Sequence, residues 1–319
     1  MLAAVLHKLG QPPCFEEFPD PVATESEVLV NVRAASLKPI DRQLAAGTHF
    51  ASPRELPVVC GSDGIGHLED GSRVFFGGPR RPYGAFAKRT VLRRAQCFSV
   101  PENLDDVTAA AIPNPGVSAW LSLSHRATLT AGETVLILGA TGVTGRLAVQ
   151  IAKLQGASRV IAAGRNPESL AKLPALGADL TISLNQPRAE LVAAFRRQNS
   201  EKRFDVILDY LWGPPTEALL DALAVQEFRG SGSETRLVQV GESAAPAIEL
   251  RAAVLRSVAI TIAGTAGIPA MDVLTGALHQ VFNYAAEGRL RIETEQLPLS
   301  QIESAWDRRV SARRLVFIT

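Results

Sequence analysis

A short apolar run, Thr134-Val-Leu-Ile-Leu138, leads into a turn carrying Gly139, Gly142 and Gly145. Apolar residues at helical spacing follow directly, at Leu147, Ala148, Ile151, Ala152 and Leu154. This succession constrains the fold more than anything else in the chain. In a strand–turn–helix unit the backbone can pass close to a pyrophosphate, and the helix N-terminus turns free N–H groups and a favourable dipole toward the anion. Glycines alone would be a weak signal, but here the strand precedes them and the helix follows. Ala140 stands where the first glycine of the usual fingerprint falls. The loop Ala140, Thr141, Gly142, Val143 and Thr144 is expected to cradle the phosphates, with the amides of Val143 and Thr144 as donors.

A second strand, Arg159-Val-Ile-Ala-Ala163, ends in Gly164-Arg165-Asn166. In a dinucleotide fold the residue roughly 20 positions past the last glycine meets the adenine ribose, and that offset lands on Arg165. A carboxylate there would bind the ribose hydroxyls and repel a 2′-phosphate, whereas an arginine fork pairs with phosphate. Gly164, Arg165 and Asn166 therefore predict NADPH as the cofactor. The competing reading of Arg165 is a solvated surface arginine just past a strand.

From residue 134 the pattern alternates strictly between strands and helices, which predicts a parallel sheet with crossover helices. Strands are expected at 134–138, 159–163, 180–183, 204–209, 236–240 and 258–262, and helices near 144–155, 167–176, 188–198, 214–225, 248–256 and 272–287. Gly241 and Glu242 follow the fifth strand, at the C-terminal sheet edge where ligands bind. The first 115 residues read as mostly β, with strands at Met1–Lys8, Val28–Arg33, Arg73–Phe76 and Ala85–Leu92. Pro113-Asn-Pro-Gly116 is expected to break a short helix, with a new one from Val117 to about His125. The segment from Ile292 to Thr319 holds a strand, a helix over 300–310 and a closing strand, and it should return to the first domain.

With 319 residues the chain is long for one core and suggests two domains. Lys plus Arg number 33 against 32 Asp plus Glu, so no global field favours nucleic acid or an anionic membrane. No apolar run approaches the ~20 residues that span a bilayer, and the N-terminus does not read as a signal peptide. Cys14, Cys60 and Cys97 form no CxxC pair and no disulfide framework, which points to a reducing cytoplasm.

An ordered series of motifs then resembles the medium-chain dehydrogenase/reductase superfamily, in its zinc-independent quinone oxidoreductase branch. Its carriers are Ala34-Ala-Ser-Leu-Lys-Pro-Ile-Asp-Arg42, Pro57-Val-Val-Cys-Gly-Ser-Asp63, Tyr83-Gly-Ala-Phe-Ala87, Gly116-Val-Ser-Ala-Trp120, the Gly139–Gly145 turn, Leu176-Gly-Ala-Asp179 and Leu297-Pro-Leu-Ser-Gln-Ile-Glu-Ser-Ala-Trp306. The resemblance implies an α/β chain: a Rossmann doubly wound parallel sheet at 116–263, plus a GroES-like β-rich catalytic domain formed by 1–115 with 264–319. It also implies a homodimer paired through the strand 258–262. The catalytic cysteine of zinc-dependent relatives falls on Lys38, and their ligand histidine on Ser62. Zinc needs three or four converging soft or imidazole ligands, and the five histidines are scattered, so no metal is expected.

Lys38 stands where zinc-free relatives usually carry asparagine near the nicotinamide. Either it orients a substrate carbonyl and stabilises developing negative charge, or it is solvated on the rim. Asp41 is expected to begin the helix to Ala46 as its N-cap, with pairing to Lys38 or a cofactor-side hydrogen bond as the alternative. Tyr83 could donate a proton or pack structurally. Ser118 aligns with a hydroxyl residue near the nicotinamide in relatives, or serves as a helix cap. The basic cluster Arg80, Arg81, Lys88, Arg89, Arg93 and Arg94 lacks interleaved aromatics and reads as a solvated face, not a nucleic-acid platform. The implied function is an NADPH-dependent, zinc-free oxidoreductase passing hydride to a quinone or other conjugated carbonyl. An alkenal or 2-enoyl reductase and a non-enzymatic NADPH-binding redox sensor or structural protein are the alternatives.

Overall fold

A computed structural model describes residues 1–224, 234–265, 270–308, 310 and 312–319. It divides into two compact units, Met1–Asn114 with His279–Thr319, and Pro115–Leu278.

The second unit is built on six parallel strands: β1 (Thr134–Leu138), β2 (Arg159–Gly164), β3 (Leu180–Ser183), β4 (Val206–Asp209), β5 (Thr235–Gln239) and β6 (Ile260–Gly264). Their spatial order is β3-β2-β1-β4-β5-β6, the doubly wound Rossmann arrangement, in which β1 and β4 flank the point where the winding reverses. Helices α1 (Val143–Leu154), α2 (Pro167–Lys172), α3 (Arg188–Glu201), α4 (Pro214–Leu223) and α5 (Ala252–Ser257) make the crossovers, and α6 (Met271–Ala286) follows β6. Every residue of β1 is buried, as expected of a central strand covered on both faces, which is why it reads as an unbroken apolar run. α1 turns Leu147, Ala148, Ile151 and Ala152 inward at 3.6-residue spacing.

In the first unit the ten-residue strand Glu27–Ser36 is central. It pairs antiparallel with Asp63–Leu68, Arg89–Arg93 and Arg314–Ile318. Strands Arg73–Gly77 and Cys97–Ser99 extend one side, and Thr294–Pro298 pairs parallel with Arg314–Ile318 on the other. A separate three-stranded sheet joins Cys14–Glu17, Leu2–Leu6 and Val58–Val59. The core is mainly aliphatic around an aromatic centre, where Phe86 meets both Trp306 and Phe317 edge to face. The C-terminal segment thus returns to the sheet of the N-terminal half.

Some elements differ from the sequence pattern. The short helix ends at Ala111, before Pro113, as expected, but the next helix, Pro113–Leu121, starts at Pro113 and not at Val117, so Pro113 to Gly116 form its first turn, where a missing amide costs nothing. A π-helical turn over Ser122–Arg126 continues it. The helix at 39–46 starts at Pro39 with Lys38 as its N-cap residue, so Asp41 is not the cap. The strand predicted from Ala85 is confined to Arg89–Arg93, with a lone bridge from Ala87 to Ala3. The helix predicted over 300–310 shrinks to a short 3-10 turn and Ile302–Ala305. Positions 225 and 309, at or near the ends of two predicted helices, lie outside the described residues. The strand Asp63–Leu68 carried no pattern because glycines interrupt it. At Gly66 a Cβ would lie 2.4 Å from the Asn31 carbonyl oxygen, so the close approach to the central strand requires glycine.

Candidate functional site

The C-terminal ends of β1 and β2 lie in register, Leu138 beside Ala163, so the turns that follow share one edge of the sheet. The Gly139 and Ala140 amides both donate to the Ala163 carbonyl at 2.9 Å, and the Gly142 amide donates to Gly139 at 3.1 Å. Ala140 and Gly142 therefore shape the loop and have no amide to offer a phosphate. Thr141 is half-buried on the loop. The amides of Val143 and Thr144, in the first turn of α1, carry no intramolecular bond among the described residues. At Gly145 a Cβ would stand 2.3 Å from the Gly139 carbonyl oxygen and 2.6 Å from the Ala140 Cα, so only glycine lets the helix close onto the turn.

Gly164 ends β2 and is buried. Arg165 follows, exposed and without an intramolecular partner among the described residues. The Asn166 side-chain oxygen accepts the Ser169 amide at 2.8 Å and caps α2, which anchors the chain directly after Arg165. The fully buried Asp209 closes β4, accepting the amides of Leu211 (2.8 Å) and Trp212 (2.9 Å) and the Thr216 hydroxyl (2.5 Å). Burial pushes its carboxyl above the usual range, against those bonds. The Asp209 carbonyl takes the Gly241 amide at 3.1 Å, and the Glu242 side chain is exposed. Ser118 is half-buried inside the helix 113–121, so it is not an N-terminal cap. A glycine cradle, free first-turn amides and an unpaired arginine at the second strand's end fit a dinucleotide bearing a 2′-phosphate.

The first unit holds a cluster of buried charge. The central strand ends at Ser36, the neighbouring strands begin at Asp63 and Arg314, and Lys38 opens the helix 39–46. Antiparallel pairing thus converges two cations and two carboxylates. The Lys38 side chain is fully buried, with Nζ 2.8 Å from the Ser36 carbonyl oxygen, 2.8 Å from Asp63 Oδ1 and 3.2 Å from Asp41 Oδ2. Three acceptors face its three protons. Burial alone would lower its pKa, but the two carboxylates outweigh burial and raise it. Burial lifts Asp63 against the pull of Lys38, and burial lowers the pKa of Arg314, whose guanidinium donates to the Leu37 carbonyl at 3.2 Å.

Neither sequence reading of Lys38 describes this arrangement. It is not on the rim, and its protons are committed inside the protein, so in this arrangement it cannot orient a substrate. Asp41, the third helical residue, accepts the Lys38 amide at 2.9 Å, while its other oxygen takes the Ser62 amide (3.0 Å) and hydroxyl (2.8 Å). The alternative reading, pairing with Lys38, describes its contacts. Tyr83 lies in a loop, its hydroxyl donating to the Asp20 carbonyl at 3.2 Å and its ring edge-on to Phe18. Asp41, Ser62 and Tyr83 all line a concavity of about 170 Å³ with Cys60, whose thiol burial pushes up to about 12. Sequence reasoning missed Asp63 and Arg314 as members of the cluster. An ionisable residue at the first position of an apolar strand was the available signal for Arg314; the glycines of the strand 63–68 left none for Asp63.

A catalytic zinc does not fit here. An ammonium stands at position 38 and cannot ligate, position 62 supplies a hydroxyl already bonded to Asp41, and the nearby carboxylates are paired with cations.

A family model described as zinc-binding dehydrogenase matches residues 143–271. The chain is 30% identical over 224 residues to a quinone oxidoreductase of Sus scrofa, covering 66% of each chain. It is 31% identical over 207 residues to a 2-methylene-furan-3-one reductase of Solanum lycopersicum, covering 59% of this chain and 50% of the other. The matched region thus spans between half and two thirds of these relatives' own length. Among solved structures, the quinone oxidoreductase of Thermus thermophilus, also determined in complex with NADPH, superimposes with a TM-score of 0.81 at 28% identity over 100% of both chains.

Proposed function

The chain belongs to the medium-chain dehydrogenase/reductase superfamily, in its quinone oxidoreductase branch, and from that membership we propose that it is an NADPH-dependent reductase of quinones or other conjugated carbonyls. The observation that carries the cofactor is Arg165, exposed and unpaired where the end of β2 meets the glycine turn. Val143, Thr144 and the N-terminus of α1 hold the pyrophosphate, and Arg165 pairs with the 2′-phosphate. Bound NADPH supplies a hydride, and the balance is quinone plus hydride plus a proton to hydroquinone.

The residues of the first unit decide what the acceptor must bring. Positions 38 and 62 offer no zinc site, so the acceptor must delocalise the incoming charge itself, as a conjugated carbonyl does. The Lys38 ammonium and Tyr83 hydroxyl have their protons committed to Ser36, Asp63, Asp41 and Asp20. Water therefore protonates the product oxygen. That favours a quinone over an enal or 2-enoyl compound, whose carbon requires a positioned donor.

The first unit is the catalytic domain and the second the cofactor domain. β6, paired among the described residues with β5 alone, leaves an edge for a second copy of the chain. Three of the six cations of the basic cluster are paired with carboxylates, Arg80–Glu27 (2.7 Å), Arg89–Asp20 (3.0 Å) and Arg94–Asp70 (3.5 Å), which argues against a nucleic-acid partner. No helix among the described residues is long and apolar enough to cross a membrane. The free cysteines suit a cytoplasmic setting.

Arg165→Ala tests the cofactor assignment. Losing hydrogen bonds to a charged group, about 1.5–3 kcal/mol, should weaken NADPH binding roughly 10- to 150-fold with NADH affinity unchanged. Equal effects on both cofactors in a fluorescence titration would refute the pairing.

A further inference from the structure

The concavity lined by Asp41, Ser62 and Tyr83 measures about 170 Å³. Protein cavities of about 150 Å³ take up benzene, so this one has room for a single ring. Leu44, Pro53 and other apolar residues supply most of its wall, and the exposed Arg81, its guanidinium turned to the carbonyls of Ala51 and Ser52, also lines it.

The direction of the hydrogen bonds determines what Ser62 can offer. Asp41 receives four contacts, from the Ser62 amide and hydroxyl on one oxygen and from the Lys38 amide and ammonium on the other. All four are donors. The carboxylate therefore only accepts, and the Ser62 proton is given to it. Ser62 is also tied down through its carbonyl, which accepts the Gly78 amide at 2.9 Å. Its hydroxyl oxygen is left with lone pairs alone, and a ligand in the concavity can engage it only as a donor.

We propose that Ser62 is a specificity-determining residue whose hydroxyl oxygen accepts a hydrogen bond from a hydroxyl substituent on a single-ring conjugated substrate. The protein is then a reductase for small hydroxylated quinones. This rests on the reductase reading above and adds the substrate class. Lys38 is a positioning residue in the scheme: it holds Asp41, and Asp41 takes the serine proton.

The test compares methyl-p-benzoquinone with hydroxymethyl-p-benzoquinone, with NADPH as reductant, in the wild-type protein, Ser62→Ala and Ser62→Thr. One added hydrogen bond should raise kcat/KM for the hydroxymethyl compound roughly tenfold in the wild type. The ratio should fall toward unity in Ser62→Ala and return in Ser62→Thr, which keeps the hydroxyl. A wild-type ratio near unity, or one unchanged in Ser62→Ala, overturns the proposal while leaving the reductase reading intact. Oxidation of NADPH by neither quinone overturns the reductase reading itself. If Ser62→Ala does not fold, the wild-type ratio and Ser62→Thr still decide.

Discussion

Lys38→Met removes the ammonium from between two buried carboxylates while keeping a side chain of similar length. Lys38 and Asp41 are fully buried at the side chain and Asp63 is 10% exposed, so water cannot take over the lost contacts. Removing one partner of a buried ion pair costs about 3–5 kcal/mol, because the other charge stays desolvated and unpaired. Arg314 remains as the nearby buried cation but bonds to the Leu37 carbonyl. The expected loss is of that size, a large share of the roughly 5–15 kcal/mol typical of a domain. Because the chain has two units, hydrogen exchange on the strands 27–36 and 63–68 reports it more directly than a global melt. Their protection should fall by roughly two to four orders of magnitude, with β1 and β2 unaffected. The deficit should also depend on pH. Asp63 has a raised pKa in the folded protein, so the folded state binds its proton before the unfolded state does. The penalty is present above the folded pKa and shrinks as pH falls through it. Exchange within about 0.5 kcal/mol of wild type at neutral pH would refute the argument, since a change of that size is ordinary for a surface site.

In the wild-type protein the raised pKa of Lys38 has the opposite consequence: its stabilisation is present below the unfolded lysine pKa, about 10.4, and is lost as pH rises through the folded value. Protection factors on the strand 27–36, which divide out the intrinsic rise of exchange with pH, should fall only in that alkaline window, and a fall beginning near about pH 8, well below that unfolded value, would contradict the assignment. Gly145→Ala places a methyl 2.3 Å from the Gly139 carbonyl oxygen, where only backbone can yield. Overpacking of that kind costs about 1–3 kcal/mol, so NADPH binding should weaken by one to two orders of magnitude in a fluorescence titration while strands of the first unit keep their exchange protection.

The parallel half of the molecule was legible because each crossover repeats a local pattern. β1 and β3 fall on their predicted residues, and β2 gains only Gly164. The antiparallel half was less so. Gly64 and Gly66 hide the strand 63–68, since close backbone approach replaces the apolar alternation by which a strand is read. At the cofactor loop, a fixed offset leads from the last glycine to Arg165, which is exposed directly after β2. At Lys38 no such offset exists: its partner Asp63 is 25 residues away, Arg314 lies near the C-terminus, and strand pairing alone brings them together. A lysine among apolar neighbours therefore looked like a solvated or catalytic group when its charge is satisfied internally.

Stopped-flow mixing of the protein and NADPH with phenanthrenequinone, a p-benzoquinone and a simple enal, repeated with NADH, tests the central claim most directly. The account predicts rapid loss of nicotinamide absorbance with the quinones, little with the enal, and a marked preference for NADPH. Tight NADPH binding without turnover of any acceptor, or turnover of the enal alone, would contradict it.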